Sequence, residues 1–245
     1  MFKKNIFGQY LVVKQAIMRT ACFFTYYRFS VINTNQITGA EIFQSLPKTN
    51  VLIVSNHPTY FADAALMVHA MCTSINGAPN KITIKNFIWK PFLNFYYVAA
   101  KETMKSGWLP KIFALTGSIS VQRTWRSEGV DIQRDVDQND TGNIEKALSD
   151  GWVLTFPQGT TTPFAPGRKG TAHIIKNYQP VVIPIVVDGM REAFGKKGLK
   201  IKKKGVELTL KVKAPLQINY SDSVEHILEQ VMDAIEQSNR FEQAN

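Results

Sequence analysis

Asn56, His57 and Pro58 follow directly on Val51-Leu-Ile-Val-Ser55, a short, mostly β-branched run that reads as a buried strand emptying into a loop. Open α/β sheets place their ligands at the C-terminal ends of such strands. A histidine there suits general-base chemistry once a partner fixes its tautomer. Asp63, six positions on, is the only nearby carboxylate and the candidate partner. A second loop, Thr155-Phe156-Pro157-Gln158-Gly159-Thr160, also succeeds an apolar run. Gly159 permits a close backbone approach to a ligand, and Thr160, Thr161 and Thr162 bring hydroxyls. Pro163, Pro166 and Gly167 stiffen and turn the rest of this loop, and Arg168 and Lys169 add positive charge. On its own this segment reads equally well as a surface turn, and it does not match the phosphate-binding G-x-x-x-x-G-K-[ST] loop.

Other chemistries find little support. His57, His69, His173 and His226 have no ligand spacing, so no metal site is expected, and His69 reads as a core residue on a helix. There is no G-x-S-x-G nucleophile elbow. Cys22 and Cys72 have no neighbouring histidine and read as ordinary thiols, which makes a reducing compartment the default. A net charge of +10 points to an anionic partner, nucleic acid or an acidic membrane surface. The basic stretch from Lys196 to Lys204 has no nucleic-acid motif and no interleaved aromatics, so no nucleic acid is expected. It reads as a solvated loop facing an anionic bilayer, where each Lys or Arg contributes about 1 kcal/mol.

The elements that must position these residues alternate. Strands are expected at Val51–Ser55, Lys81–Lys85, Ile119–Val121, Trp152–Phe156, Val181–Val187 and Glu207–Val212. Pro184 suggests that the fifth of these is an edge strand or carries a bulge. Helices are expected at Ala62–Met71, Gly142–Leu148 and Val224–Ser238. The alternation implies one α/β domain over residues 36–245, a mixed, mainly parallel sheet flanked by helices. Residues 1–35 read as a separate helical segment. Its apolar run is interrupted by Lys14, Arg19 and Arg28, and the chain has no uncharged apolar stretch of about 18 residues that would span a bilayer. Lys3, Lys14 and Arg28 share a helical sector, and Phe23, Phe24, Tyr26, Tyr27 and Phe29 crowd together. Aromatic bodies with snorkelling cations describe an amphipathic helix lying in a membrane interface.

Taken in order, these residues resemble the glycerolipid acyltransferase family, the lysophosphatidate (1-acyl-sn-glycerol-3-phosphate) acyltransferases and their relatives, over roughly residues 38–190. The family's Asn-His-x4-Asp is echoed by Asn56, His57 and Asp63. Its Gly-x-x-(Phe/Ile)-x-x-Arg block is matched by Gly117 to Arg123, preceded by Lys101-Glu102. Its Phe-Pro-Glu-Gly-Thr-Arg is echoed by Phe156 to Thr160, and its apolar strand with a central proline by Val182-Ile-Pro184-Ile185. Three positions depart from the pattern. Asp63 stands one residue beyond the family's place at Ala62, about 100° of rotation on a regular helix, so a bulge before or at the helix start is expected. Gln158 replaces a Glu, and Thr161 replaces an Arg that the family assigns to the acceptor's phosphate.

The resemblance implies an acyltransferase domain over residues 36–245, moving a fatty acyl group from a thioester to a lyso-lipid hydroxyl in phospholipid biosynthesis. The first acceptor to expect is 1-acyl-glycerol-3-phosphate, with acyl-CoA or acyl carrier protein as donor and no further cofactor. His57 would be the base and Asp63 its orienting acid. Asn56, Arg123, Gly159, Thr160, Arg168 and Lys169 would bind substrate: Arg123 as the headgroup clamp, backbone N–H groups around Gly159 as oxyanion donors, and Arg168 or Lys169 in place of the lost Arg. The enzyme would sit peripherally on the cytoplasmic face of an anionic membrane. Three alternatives stand beside this: a phosphate-free acceptor such as a lyso-aminolipid, a thioester hydrolase, and an inactive membrane-binding member of the fold.

Overall fold

Continuous apolar runs such as Val51–Ser55 are what a strand buried on both faces requires, and the computed structural model of the chain places that strand at the middle of its sheet. The structure describes residues 2–92, 94–105, 107–122, 126–127, 130–131 and 138–243. In chain order the elements are α1 (Leu11–Tyr27), a π-helical turn (Arg28–Ile32), β1 (Thr34–Thr38), a 3-10 turn (Ala40–Gln44), β2 (Val51–Ser55), α2 (Ala62–Ile75) and α3 (Ile84–Trp89). Then come β3 (Phe95–Ala100), α4 (Lys101–Lys105), α5 (Trp108–Ala114), β4 (Ser118–Val121), the short antiparallel pair β5 (Arg126–Ser127) and β6 (Val130–Asp131), and α6 (Gln138–Asp150). The last stretch holds β7 (Trp152–Thr155), α7 (Lys169–Tyr178), β8 (Val181–Asp188), α8 (Met190–Ala193), β9 (Glu207–Val212), α9 (Val224–Ala234) and α10 (Asn239–Glu242).

Seven strands form one sheet in the order β1-β9-β8-β2-β7-β3-β4, and every pairing is parallel except β8 with β9. The period of two along β2 builds both halves of the core. Val51 and Ile53 face Leu66, Met67, Ala70 and Met71 of α2, while Leu52 and Val54 face Ile144 and Ala147 of α6, Ile175 of α7 and Val231 of α9.

Three expectations change. Pro184 lies in β8, an interior strand, and not at an edge. Its carbonyl accepts from the Lys213 N–H (2.9 Å), just past the end of β9, so the N–H that proline lacks would point where that ladder has already stopped. Lys81–Lys85 is not a strand: α3 begins at Ile84, and the turn of helix sets Phe87 against Met18, Cys22 and Cys72. The chain also has elements that its apolar pattern does not mark, among them β1, an edge strand in which only Ile37 is buried.

The largest change concerns α1. Lys14, Met18 and Cys22, spaced four residues apart, form its buried face. Lys14 therefore does not snorkel outward. Its Nζ donates to the Phe95 carbonyl at 2.6 Å and lies 4.9 Å from the centroid of the Tyr96 ring, whose hydroxyl donates to Asp150. Arg28 bonds the Leu199 carbonyl (2.6 Å), so of the expected cationic face Lys14 and Arg28 are tied inward and Lys3 is exposed; Arg19, outside that face, bonds the Ile88 carbonyl (2.8 Å). Beside Arg19 and Thr20, α1 exposes a run of apolar side chains: Val12, Val13, Phe23, Phe24 and Tyr27, continued by Val31. No described helix is long and apolar enough to cross a membrane. β1 begins at Thr34, within the 1–35 segment, and pairs with β9.

Burial lowers the Lys14 pKa from 10.5 to about 7, against the opposing pull of Asp150. Above pH 7 the folded state has shed a proton that the unfolded state still holds, so stability gained above the folded pKa is lost as pH falls toward it. The denaturant midpoint should rise between pH 7 and 8.5, and Lys14→Met should flatten that rise. Keeping below pH 8.5 avoids the Cys22 and Cys72 thiols, both pushed up by burial, whose unfolded forms ionise at higher pH with the opposite sign.

Candidate active site

β2 and β7 end side by side, with Val54 opposite Thr155, while β8 lies parallel to β2 and runs past Ile185, the partner of Ser55, to Asp188, so three loops leave from one edge of the sheet. The first residue of the β2 loop, Asn56, spends its amide on the neighbouring strand. Its Nδ2 donates to the Val187 carbonyl (2.8 Å) and its Oδ1 accepts from the Val187 N–H (2.9 Å). This two-point bond replaces ladder pairing where β2 turns away and fixes the start of the loop that presents His57.

The His57 ring stacks on Phe156 at 3.7 Å and 18°, which joins the β2 and β7 loops. Its Nδ1 lies 2.9 Å from Asp63 Oδ2. The carboxylate has no solvent exposure, and it also accepts from the N–H groups of Thr59 (3.3 Å) and Ala64 (2.8 Å). These donors hold the carboxylate in place in the first turn of α2, facing the imidazole. The bond assigns the proton on the ring to Nδ1 and leaves Nε2 with the free lone pair. His57 keeps 14% side-chain exposure, enough to meet a substrate.

The extra residue before Asp63 is absorbed ahead of the helix. Residues 58–61 form bends, and Phe61, at φ −133° and ψ −34°, is not yet helical. The buried Thr59 hydroxyl accepts from the N–H groups of Ala62 (3.2 Å) and Asp63 (3.4 Å), starting α2 with Asp63 turned back to His57. A rotation of one residue on a regular helix therefore does not apply.

The β7 loop is organised differently from expectation. Gly159, at φ +63°, donates its N–H to the Phe156 carbonyl (2.9 Å), so that N–H closes a turn and is not presented to an oxyanion. The Thr160 hydroxyl accepts from the Thr162 N–H (3.3 Å). Buried Gln158 donates to Ala165 O (3.0 Å) and Gln237 Oε1 (3.2 Å), two acceptors that a Glu could not satisfy. Thr161 is buried as well. Arg168 precedes α7, its N–H on Pro157 O (2.8 Å), and Lys169 Nζ pairs with Glu225 Oε1 at 2.5 Å. Lys169 is thus engaged on α9. Arg123 lies outside the described residues. His69 is a core residue, bonded to the Thr25 hydroxyl (2.8 Å) and pushed by burial to a pKa of about 3.

Sequence reasoning did not place any cation beside Pro58, the residue that follows His57. An open cleft of about 350 Å³ is lined there by Pro58, Thr161, Thr162, Arg191, Lys196 and Lys202, among others. The segment after β8 turns at Phe194 to Ile201, and its Lys196 carbonyl accepts from the Tyr60 N–H (3.0 Å). Gly198, at φ +75°, sits where a Cβ would lie 2.6 Å from the Ala62 nitrogen, so only glycine lets this turn rest on the His57 loop. The signal in the sequence is the density of lysines between β8 and β9, but nothing local says that they fold back over β2.

A family model described as Acyltransferase matches residues 35–188 of the chain. A crystal structure of the 1-acyl-sn-glycerophosphate (LPA) acyltransferase PlsC from Thermotoga maritima is similar at a TM-score of 0.48 and 14% identity, over 93% of this chain and 78% of that chain. No curated protein matches.

The geometry around Gln158 yields a stability test. Gln158→Glu should destabilise the protein by about 1–3 kcal/mol at pH 7, because a carboxylate would face two acceptors with nothing to donate. Burial raises the folded pKa of such a carboxyl, so the deficit is largest above that pKa and shrinks as pH falls toward about 4.5. Thermal unfolding of both proteins at the two pH values measures it.

Proposed function

The chain belongs to the acyltransferase family, and from that premise we propose that it moves a fatty acyl group from an acyl thioester to the hydroxyl of a lyso-lipid, with 1-acyl-glycerol-3-phosphate as the first acceptor, in phospholipid biosynthesis. The observation that carries this reading is the His57–Asp63 pair at the C-terminal ends of three parallel strands. Nε2 of His57 takes the proton of the acceptor hydroxyl while its oxygen attacks the thioester carbonyl. The tetrahedral adduct collapses, the C–S bond breaks, and the imidazolium returns the proton to the departing sulfur. Asp63 stabilises the imidazolium between those steps. No protein nucleophile is needed, which agrees with the burial of both cysteines. The donor is acyl-CoA or acyl carrier protein.

The exposed apolar face of α1 and the net charge of +10 support peripheral seating on an anionic membrane, at its cytoplasmic face. Because the α1 cations are tied inward, the apolar side chains carry the insertion there and the lysines of residues 196–204 supply the electrostatic part. A second reading, a phosphate-free acceptor such as a lyso-aminolipid, is favoured by Thr161 standing buried at the position of the family's Arg.

Thiol release from acyl thioesters, measured with and without lyso-lipids, tests the reaction. His57→Ala should lower acceptor-dependent release by about 100-fold or more, and Asp63→Asn should lower it by releasing the tautomer. Acceptor-independent release would replace transfer by thioester hydrolysis, and no release from the wild type would leave a membrane-binding protein without this activity. In flotation with vesicles containing anionic lipid, Phe23→Ser/Phe24→Ser should weaken binding at least about tenfold, since burying each ring contributes about 1.5–3 kcal/mol. Complete release of the wild type by high salt would mean that the apolar face contributes little.

A further inference from the structure

We infer that Arg191, Lys196 and Lys202 form a subsite for a phosphate monoester carried by one of the two substrates. The inference rests on the acyl-transfer reading of His57 for its place in catalysis, and on the cleft itself for its chemistry. Arg191 stands in α8, Lys196 lies within the turn closed by the Phe194–Ile201 bridge and Lys202 just after it, so three positive charges from one compact segment line the cleft with Pro58. All three residues are exposed to solvent.

What sets them apart from the other cations of this segment is that they line the cleft, and no described acidic partner neutralises them there. Lys203 is paired with Glu192, Lys169 with Glu225, and Lys211 and Lys213 with Glu236. No described carboxylate lies within 4 Å of the charged groups of Arg191, Lys196 or Lys202. The nearest acids in sequence are engaged elsewhere: Asp188 accepts from the Gly189 N–H (2.7 Å), and Glu192 is the partner of Lys203. Lys202 Nζ donates to the Arg191 carbonyl (2.8 Å), which holds the two residues together.

The segment is also positioned relative to the base. The Tyr60–Lys196 backbone bond and the seat of Gly198 on Ala62 and Thr59 tie it to the loop between His57 and Asp63. A guanidinium offers a planar pair of donors and an ammonium offers a point charge, a combination suited to a phosphate dianion. Thr161, which stands where the family's Arg would be, lines the same cleft. The charge missing at that position is resupplied from across the cleft by Arg191, Lys196 and Lys202. The phosphate belongs either to the headgroup of the acyl acceptor or to the coenzyme A moiety of the donor.

Calorimetric titration of the full chain at low salt with glycerol 3-phosphate and, separately, with adenosine 3′,5′-bisphosphate tests this directly. One of these probes should bind the wild type, and Arg191→Gln/Lys196→Gln should raise its Kd tenfold or more. Lys203→Gln, which removes a paired charge outside the cleft, should change it less than twofold. Binding of glycerol 3-phosphate assigns the subsite to the acceptor, and binding of the bisphosphate assigns it to the donor. In the first case the ratio of turnover on 1-acyl-glycerol-3-phosphate to that on monoacylglycerol should also fall tenfold or more in the double variant. The inference is overturned if neither probe binds the wild type, or if the double variant loses no more affinity than Lys203→Gln. Phosphate binding that depends on these cations in a protein without acyl transfer would reject the proposed reaction and keep the subsite. Acyl transfer with binding indifferent to them would do the reverse.

Discussion

Where β2 turns away from the sheet, the two hydrogen bonds of Asn56 to Val187 hold its end against β8, and the geometry of the site depends on that anchor. His57 is the next residue, so its ring is fixed at the edge of the sheet, against Phe156 of the β7 loop. Asp63 reaches it because the extra residue is taken up before α2, where the Thr59 hydroxyl accepts from the first N–H groups of the helix and turns the carboxylate back. The turn around Gly198 then packs on the outside of the same loop. A parallel sheet makes this possible: neighbouring strands end at one edge, so segments distant in sequence meet there.

The N-terminal helix is joined to this frame by an unusual contact. Burying Lys14 costs free energy because an ammonium loses its water, and the protein meets that cost by lowering the pKa and supplying the Phe95 carbonyl and the Tyr96 face. Phe95 and Tyr96 open β3, which pairs with β7, so α1 is attached to strands next to the site. The cations of α1 bond inward while its aromatic side chains point out. The outer face is consequently apolar, with little charge of its own.

The departures from the family's motifs share a physical logic. Gln158 and Thr161 are both buried, and their surroundings suit neutral groups: Gln158 meets two acceptors, and Thr161 lies in a loop held closed by Gln237. Positive charge is withdrawn from this loop and concentrated across the cleft, on Arg191, Lys196 and Lys202. Lys169 and Lys203 are paired to glutamates, whereas Arg191, Lys196 and Lys202 present their charge to the cleft.

Features governed by local pattern were legible in the sequence alone. The apolar runs of β2, β7, β8 and β9, the helical stretches of α2, α6 and α9, and the placement of His57 at a strand end all come from periodicity and burial over a few residues. The match of the motifs in order pointed to the acyltransferase family, which the family model shows. Tertiary structure alone decided the rest. β1 is polar because an edge strand buries little, so no apolar run announces it. Pro184 is tolerated inside the sheet because β9 happens to end beside it. Lys14 reads as a surface cation until the Phe95 carbonyl is brought to it from 81 residues away. Lys196 and Lys202 reach the His57 loop only when the chain after β8 folds back over β2. Each of these depends on groups far apart in sequence and close in space, which no local periodicity encodes.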